Sequence, residues 1–377
     1  MQLEYITASS VPIPEHLSEI ITTYKGQSDI NDFSLGLIGM EEFRGNEANI
    51  GCELGADNIR QHLFELKNFP KCKVLDFGNI KMGVSYKDSH YALKSTVHEM
   101  LQAGLIPIIL GGDKTLLCAQ QAAYYDLHYP YINILHIDEK FQMGNDVDGA
   151  INAENYLDHL MNQEPNLIFN FTQLGYQSYF VDALTLDINQ KLGFESIRLG
   201  EVKEDLKETE PIVRDSDLVA FNISALRQAD AAAYYHPTPN GFSADEACQI
   251  VRYAGLSDRL SSIGFYDFNP QYDQQHQTAQ IVAQMIWYFI KGVSERKKDY
   301  PVMDETDFNK YIVSSKEIGY DITFLKSKKS DRWWIKLPEE HIKYQSHQLF
   351  PCSYKDYQMA LQDEIPTRWW KAYNKLV

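Results

Sequence analysis

Long apolar runs are missing from this 377-residue chain, and none approaches the roughly 20 residues that a membrane-spanning helix needs. The opening stretch, MQLEYITASSVPIPEHL, lacks the basic and apolar regions of a signal peptide, so a cytoplasmic location is expected. Basic charge is also scarce. The chain has 35 Lys and Arg against 52 Asp and Glu, a net charge of −17, whereas a nucleic-acid partner calls for a basic face. Cysteine is limited to Cys52, Cys72, Cys118, Cys248 and Cys352, an odd and scattered set without metal-type spacing. Free thiols in a reducing compartment are expected. No internal repeat or low-complexity segment is present. P-loop spacing is absent too, so Gly111-Gly112 reads as a permissive turn and not as a phosphate cradle.

With 44% apolar residues the chain can bury a large core. Short, continuous apolar runs at 34–39, 73–77, 105–110, 131–137, 166–171, 195–199, 217–222 and 260–265 alternate with helical patterns. The clearest helical patterns are 55–66, 89–103, 114–126, 178–190 and 243–254. That alternation predicts an α/β fold with a mainly parallel, roughly eight-stranded sheet covered on both faces. Functional loops in such a sheet leave the carboxyl ends of the strands.

Three segments stand at such ends. Gly111-Gly112-Asp113-Lys114-Thr115 follows LIPIIL, His136-Ile137-Asp138-Glu139-Lys140-Phe141-Gln142 closes YINILHI, and Ala220-Phe221-Asn222-Ile223-Ser224 closes DLVAF. Together they resemble the GGDH, DAHxD and SxDxD segments of the arginase (ureohydrolase) family, which includes agmatinases and formimidoylglutamases. LGLIGMEEFRGNEANIGCELGADNIRQHLFEL, Asn240 to Glu246 and IGFYDFNPQYD resemble further family segments in the same order. The resemblance covers about Leu35 to Gly292. It implies a three-layer arginase-like domain over 1–294 and leaves an aromatic-rich C-terminal extension over 295–377.

In the family these segments hold two manganese ions. Carried over position by position, the six ligands become Lys114, Asp138, Lys140, Gln142, Asn222 and Ser224. Only Asp138 is an ordinary ligand. Paired divalent cations need carboxylates and neutral imidazoles, while a lysine ammonium has no lone pair to offer. No manganese is therefore expected. Lys114 and Lys140 are expected to converge with Asp138, with Asp113 and Glu139 as further counter-charges. A catalytic lysine pair is the other reading of the same residues.

Asp267 stands where the family places a Glu that reads a guanidinium-type group, and is a candidate for a cationic ligand or a loop cap. Glu246, three residues after Ser243, reads as a capping box. His136 is expected to pack within its strand. His159 follows the region, from Asn145 to Asn155, where relatives carry a substrate-binding loop with a proton-shuttling His, but NDVDGAINAENYLDHL does not reproduce that loop.

The 77 residues after Tyr300 contain 13 aromatics, with 12 basic against 11 acidic residues. YIVSS, DITFLK and RWWIKLP suggest a small antiparallel unit, and SYKDYQMALQ and PTRWWKAYNKL suggest helices. Neighbouring residues cannot easily share one face. One tryptophan of Trp333-Trp334 and of Trp369-Trp370 is thus expected inside, the other on a second surface. That surface is either the main domain or a protein partner or second copy. Three functions follow. The first is an arginase-fold scaffold, subunit or ligand sensor without hydrolase activity. The second is a formimidoylglutamase-like, metal-dependent C–N hydrolase with an altered site, and the third a metal-free lysine enzyme.

Overall fold

The computed structural model describes residues 4–26, 30–125, 127, 129–144, 149–300, 305–315, 319–338 and 349–376. A ten-stranded sheet forms its centre. The strands are β1 (Ile6–Thr7), β2 (Ile21–Thr23), β3 (Leu35–Met40), β4 (Val74–Ile80), β5 (Ile106–Leu110), β6 (Ile132–Ile137), β7 (Ile168–Tyr176), β8 (Glu195–Arg198), β9 (Leu218–Asn222) and β10 (Ser262–Tyr266). Their order is β1-β4-β3-β5-β10-β9-β6-β7-β8, with β2 also on β4. All pairings are parallel except that of β1 with β4.

Successive strand residues feed opposite faces of the sheet. Ile108, Leu110, Leu135, Ile137, Ile263 and Phe265 belong to one core. Ile109, Ile132, Ile134 and Tyr266 belong to the other. Helices Gly55–Glu65, Ala244–Leu256 and Gln277–Ser294 cover the first face, and Tyr86–Gln102 and Leu117–Ala122 the second. This is the three-layer arrangement that continuous apolar strands require. The eight expected strands are all present. β1 and β2, of two and three residues, are additional.

Beyond Tyr300 a four-stranded antiparallel sheet runs in the order β11 (Phe308–Ser314), β12 (Asp321–Ser327), β13 (Trp333–Lys336) and β14 (Leu349–Cys352). Helices Tyr354–Leu361 and Thr367–Leu376 follow. The two residues of each tryptophan pair do face apart. Trp333 stacks on Tyr357, 4.9 Å between centroids, within the extension's own core. Trp334 instead lies against Arg214 of the main domain, 4.4 Å from guanidinium to ring. The same guanidinium donates to the Trp333 and Cys352 carbonyls, each at 3.1 Å. Trp369 is buried, while Trp370 stays 48% exposed. As partner anchors, Trp333, Trp334 and Trp369 are therefore corrected to interior residues of this chain, and Trp370 alone of the four presents a surface.

Candidate functional site

Four adjacent central strands, β5, β10, β9 and β6, end side by side. Each delivers one part of a buried cluster: Lys114 after β5, Asp267 after β10, Asn222 and Ser224 at the end of β9, and Asp138 after β6. The turn after β5 depends on glycine, because Gly111 and Gly112 have φ of 75° and 74°.

At the centre is an ion pair. Lys114 Nζ lies 2.9 Å from Asp138 Oδ2 and 3.6 Å from Asp267 Oδ2. Asn222 Nδ2 donates to Asp138 Oδ2 at 2.7 Å, and Ser224 Oγ donates to Asp138 Oδ1 at 2.6 Å. Both oxygens of Asp138 are thus occupied. Asp267 accepts from the Lys114 backbone N–H and from Asn46 Nδ2, each at 3.2 Å, on Oδ1. Its own backbone is left-handed, φ 67°, and its carbonyl accepts from Asn49 Nδ2 at 2.9 Å. The Lys114 ammonium also sits 5.9 Å from the Tyr234 ring centroid.

Electrostatics follow from this burial. Burial opposes charge on Lys114, yet Asp138, Tyr234 and Asp267 together hold its ammonium well above the usual lysine range. Burial likewise opposes the Asp138 carboxylate, but Lys114, His136 and Ser224 bring it down to about 2. Asp267 is pushed up, by burial and by Asp138, against the pull of Lys114. One full carboxylate balances one ammonium, and Asp267 takes up a proton more readily than an ordinary Asp.

Around the cluster, His136 packs on Phe171, 5.8 Å between centroids, and its Nε2 pairs with the Tyr156 hydroxyl at 2.8 Å. Its Nδ1 pairs with Gln173, and burial pushes the imidazole below its usual range against the pull of Asp138. Asp113 accepts from the Gly45 and Thr115 backbone N–H groups, each at 3.0 Å, and burial pushes its carboxyl up to about 7. Glu139 accepts from Thr238 Oγ1 at 3.0 Å, and is also raised to about 7, by burial and by Asp138.

Some expected members are elsewhere. Lys140 does not converge with Lys114 and Asp138: its ammonium lies 3.8 Å from Glu154 and the side chain is partly exposed. β6 ends at Ile137, so strand alternation no longer directs the side chains that follow. Gln142 lies further along the same departing segment and is partly exposed. Asn145 to Asp148 fall outside the described residues. His159 sits on the helix Tyr156–Met161, its Nε2 unpartnered, away from the contacts of the cluster. Glu246 closes the expected capping box by accepting from the Ser243 N–H at 2.8 Å. Asn46, Asn49, Tyr156, Gln173, Tyr234 and Thr238 were not anticipated. A signal existed only for the two asparagines, which lie in the glycine-containing loop after β3.

A model of the Arginase family matches residues 33–291. The chain belongs to this family. Among Arginase-family relatives, the formimidoylglutamase of Staphylococcus haemolyticus is 26% identical over 273 residues, 68% of this chain and 85% of that protein. Formimidoylglutamase of Staphylococcus aureus strain MSSA476 is 26% identical over 287 residues. The fold is shared with the manganese-bound Trypanosoma cruzi formiminoglutamase, at a TM-score of 0.66 and 18% identity over 76% of this chain and all of that one. Formimidoylglutamase from Bacillus subtilis gives 0.64 and 20%, covering 79% and 95%.

The residues present do not fit the family's two manganese ions. Lys114 fills the gap between Asp138 and Asp267 with an ammonium that cannot ligate. Asn222 turns its amide nitrogen, a donor, toward Asp138. Among the described residues no group of three or more His, Cys, Asp or Glu is arranged to hold a metal ion.

Proposed function

We propose that this Arginase-family chain has exchanged dinuclear hydrolysis for a buried ion-pair cluster and works as a non-catalytic subunit, scaffold or ligand-sensing protein. The observation that supports it is the Lys114 ammonium, 2.9 Å from Asp138 at the converging strand ends. Catalysis by Lys114 without metal is disfavoured by the same contact, because a base or nucleophile must first lose the proton that this pair retains. Lys140 is partly exposed and lies beside Glu154, at 3.8 Å, away from the cluster. A protein partner or second copy would meet the extension at its exposed face, where Trp370 stands.

A second reading keeps the family's chemistry: hydrolysis of a linear amidine C–N bond, as in the formimidoylglutamases. Similarity across 85% of such a relative favours it, as does Asp267, a buried carboxylate whose Oδ2 accepts no hydrogen bond. Elemental analysis after equilibration with manganese, beside an assay for amide or ammonia release from formimidoylglutamate, separates the two. The proposal expects well below one ion per chain and no turnover. Two ions per chain, lost on chelation together with activity, would establish the second reading.

A further inference from the structure

A cavity of about 60 Å³ lies between the amino ends of β6, β7 and β8 and the extension's final helix, Thr367–Leu376. It is at the opposite end of the sheet from Lys114, and its chemistry is separate. Asn133, Asp215 and Glu195 line one side, while Arg368, Lys371 and Lys375 of the final helix line the other, Arg368 being held by Glu208 at 3.0 Å and by Asp356 at 2.6 Å.

The polar groups here are incompletely matched. Asn133 donates from Nδ2 to Asp215 Oδ2 at 3.0 Å, but its buried Oδ1 has no partner. Asp215 meets Arg259 only at 3.4 Å, whereas that guanidinium makes its closer pair with Asp217 at 3.0 Å. Lys375 Nζ donates to Asn170 Oδ1 and stands 5.6 Å from the ring centroids of both Phe169 and Phe194. Among the described residues Lys375 forms no ion pair. Burial accordingly pushes its ammonium down to about 8, and pushes the Asp215 carboxyl up to about 6. Lys371 is paired with Glu195 at 3.0 Å, but Asp215 and Lys375 border the cavity short of a close counter-charge, and buried polar atoms left so are uncommon unless something else meets them.

We propose that the cavity binds a small zwitterion, an ammonium and a carboxylate separated by one carbon, at a site completed by docking of the extension. The ligand's ammonium donates to Asn133 Oδ1 and Asp215, and its carboxylate accepts from Lys375, with Lys371 at the rim. The volume, about two waters at roughly 30 Å³ each, restricts the ligand to the smallest zwitterions, glycine ahead of alanine. Such a ligand ties the sheet to the last helix, so binding and docking of the extension favour each other. The site stands whether or not the Lys114 cluster is catalytic.

Titration calorimetry and thermal unfolding of the full chain with glycine and L-alanine test this, with methylammonium and acetate as half-ligands. One saturable site per chain is expected, with a melting temperature that rises with either amino acid and responds to neither half-ligand. Lys375→Met and Asp215→Asn should weaken binding by at least about tenfold. Ala372→Leu adds bulk to the cavity wall without removing any charge, and should abolish binding while the protein stays folded by circular dichroism. Absence of a saturable response to both amino acids in the parent chain overturns the proposal. So does unchanged binding in Ala372→Leu, or an equal response to one half-ligand alone.

Discussion

Replacing Lys114 with Ala removes the ammonium between Asp138 and Asp267 and leaves two buried carboxyl groups facing each other. Breaking a buried pair from one side costs about 3–5 kcal/mol. Urea denaturation of Lys114→Ala should show a loss of that size, whereas Lys140→Ala should stay within about 0.5 kcal/mol of the parent. Equal effects would mean that Lys140 shares the cluster. Glu139 tests electrostatics at the same scale. Its carboxyl is raised from 4.5 to about 7, by burial first and Asp138 second. A raised folded-state value stabilises the protein fully below the unfolded value and loses that contribution as pH rises through the folded one. The parent should therefore lose stability between about pH 4.5 and 7. Glu139→Gln should flatten that slope by on the order of 1–3 kcal/mol while keeping an acceptor for Thr238. Melting temperatures across this range, with no difference in slope between the two proteins, would place Glu139 in ordinary solvent. Lys114 was readable from its place one residue after Gly-Gly-Asp. Lys140 was misread because motif spacing assumes that the chain keeps its direction beyond β6, and it turns away.

At the scale of elements, the parallel sheet could be read because strands buried on both faces must be continuously apolar. The short strands β1 and β2 lie at the sheet's edge on β4 and carry too few residues for any period to show. β14 was also missed. Pro351 argues against a strand by sequence alone, but β14 is an edge strand, where proline is tolerated. The contacts that join the antiparallel unit and its helices to the main domain include Trp334 on Arg214, Arg332 on Glu210 at 3.3 Å, Arg368 on Glu208 at 3.0 Å and Lys371 on Glu195 at 3.0 Å. Trp334 is among the largest fully buried side chains. Trp334→Ala should cost about 3–5 kcal/mol. Limited proteolysis should then release the extension before the main domain is cut. Cleavage that begins in the main domain would show that Trp334 does not carry the junction.

For the whole molecule, the question is whether the extension covers the main domain or waits for a partner. Its aromatic content and near-neutral charge both oppose disorder, which explains why a folded unit was foreseeable while the surface it covers was not: complementarity between distant segments leaves no local pattern. Arg214, held by two carbonyls and one indole from the extension, answers part of that question. A chain ending at Tyr300 would leave this guanidinium without those partners and open the face now covered by Phe350, Pro351 and Ala372 beside Ile134 and Ile212. Exposed apolar surface of that kind promotes association. Light scattering and thermal unfolding should accordingly show the truncated chain to be less stable and prone to aggregate, relative to the full-length protein. A truncated chain that remains monodisperse with an unchanged melting temperature would instead assign the extension to a partner, and a pull-down with both chains would then recover that partner only with the longer one.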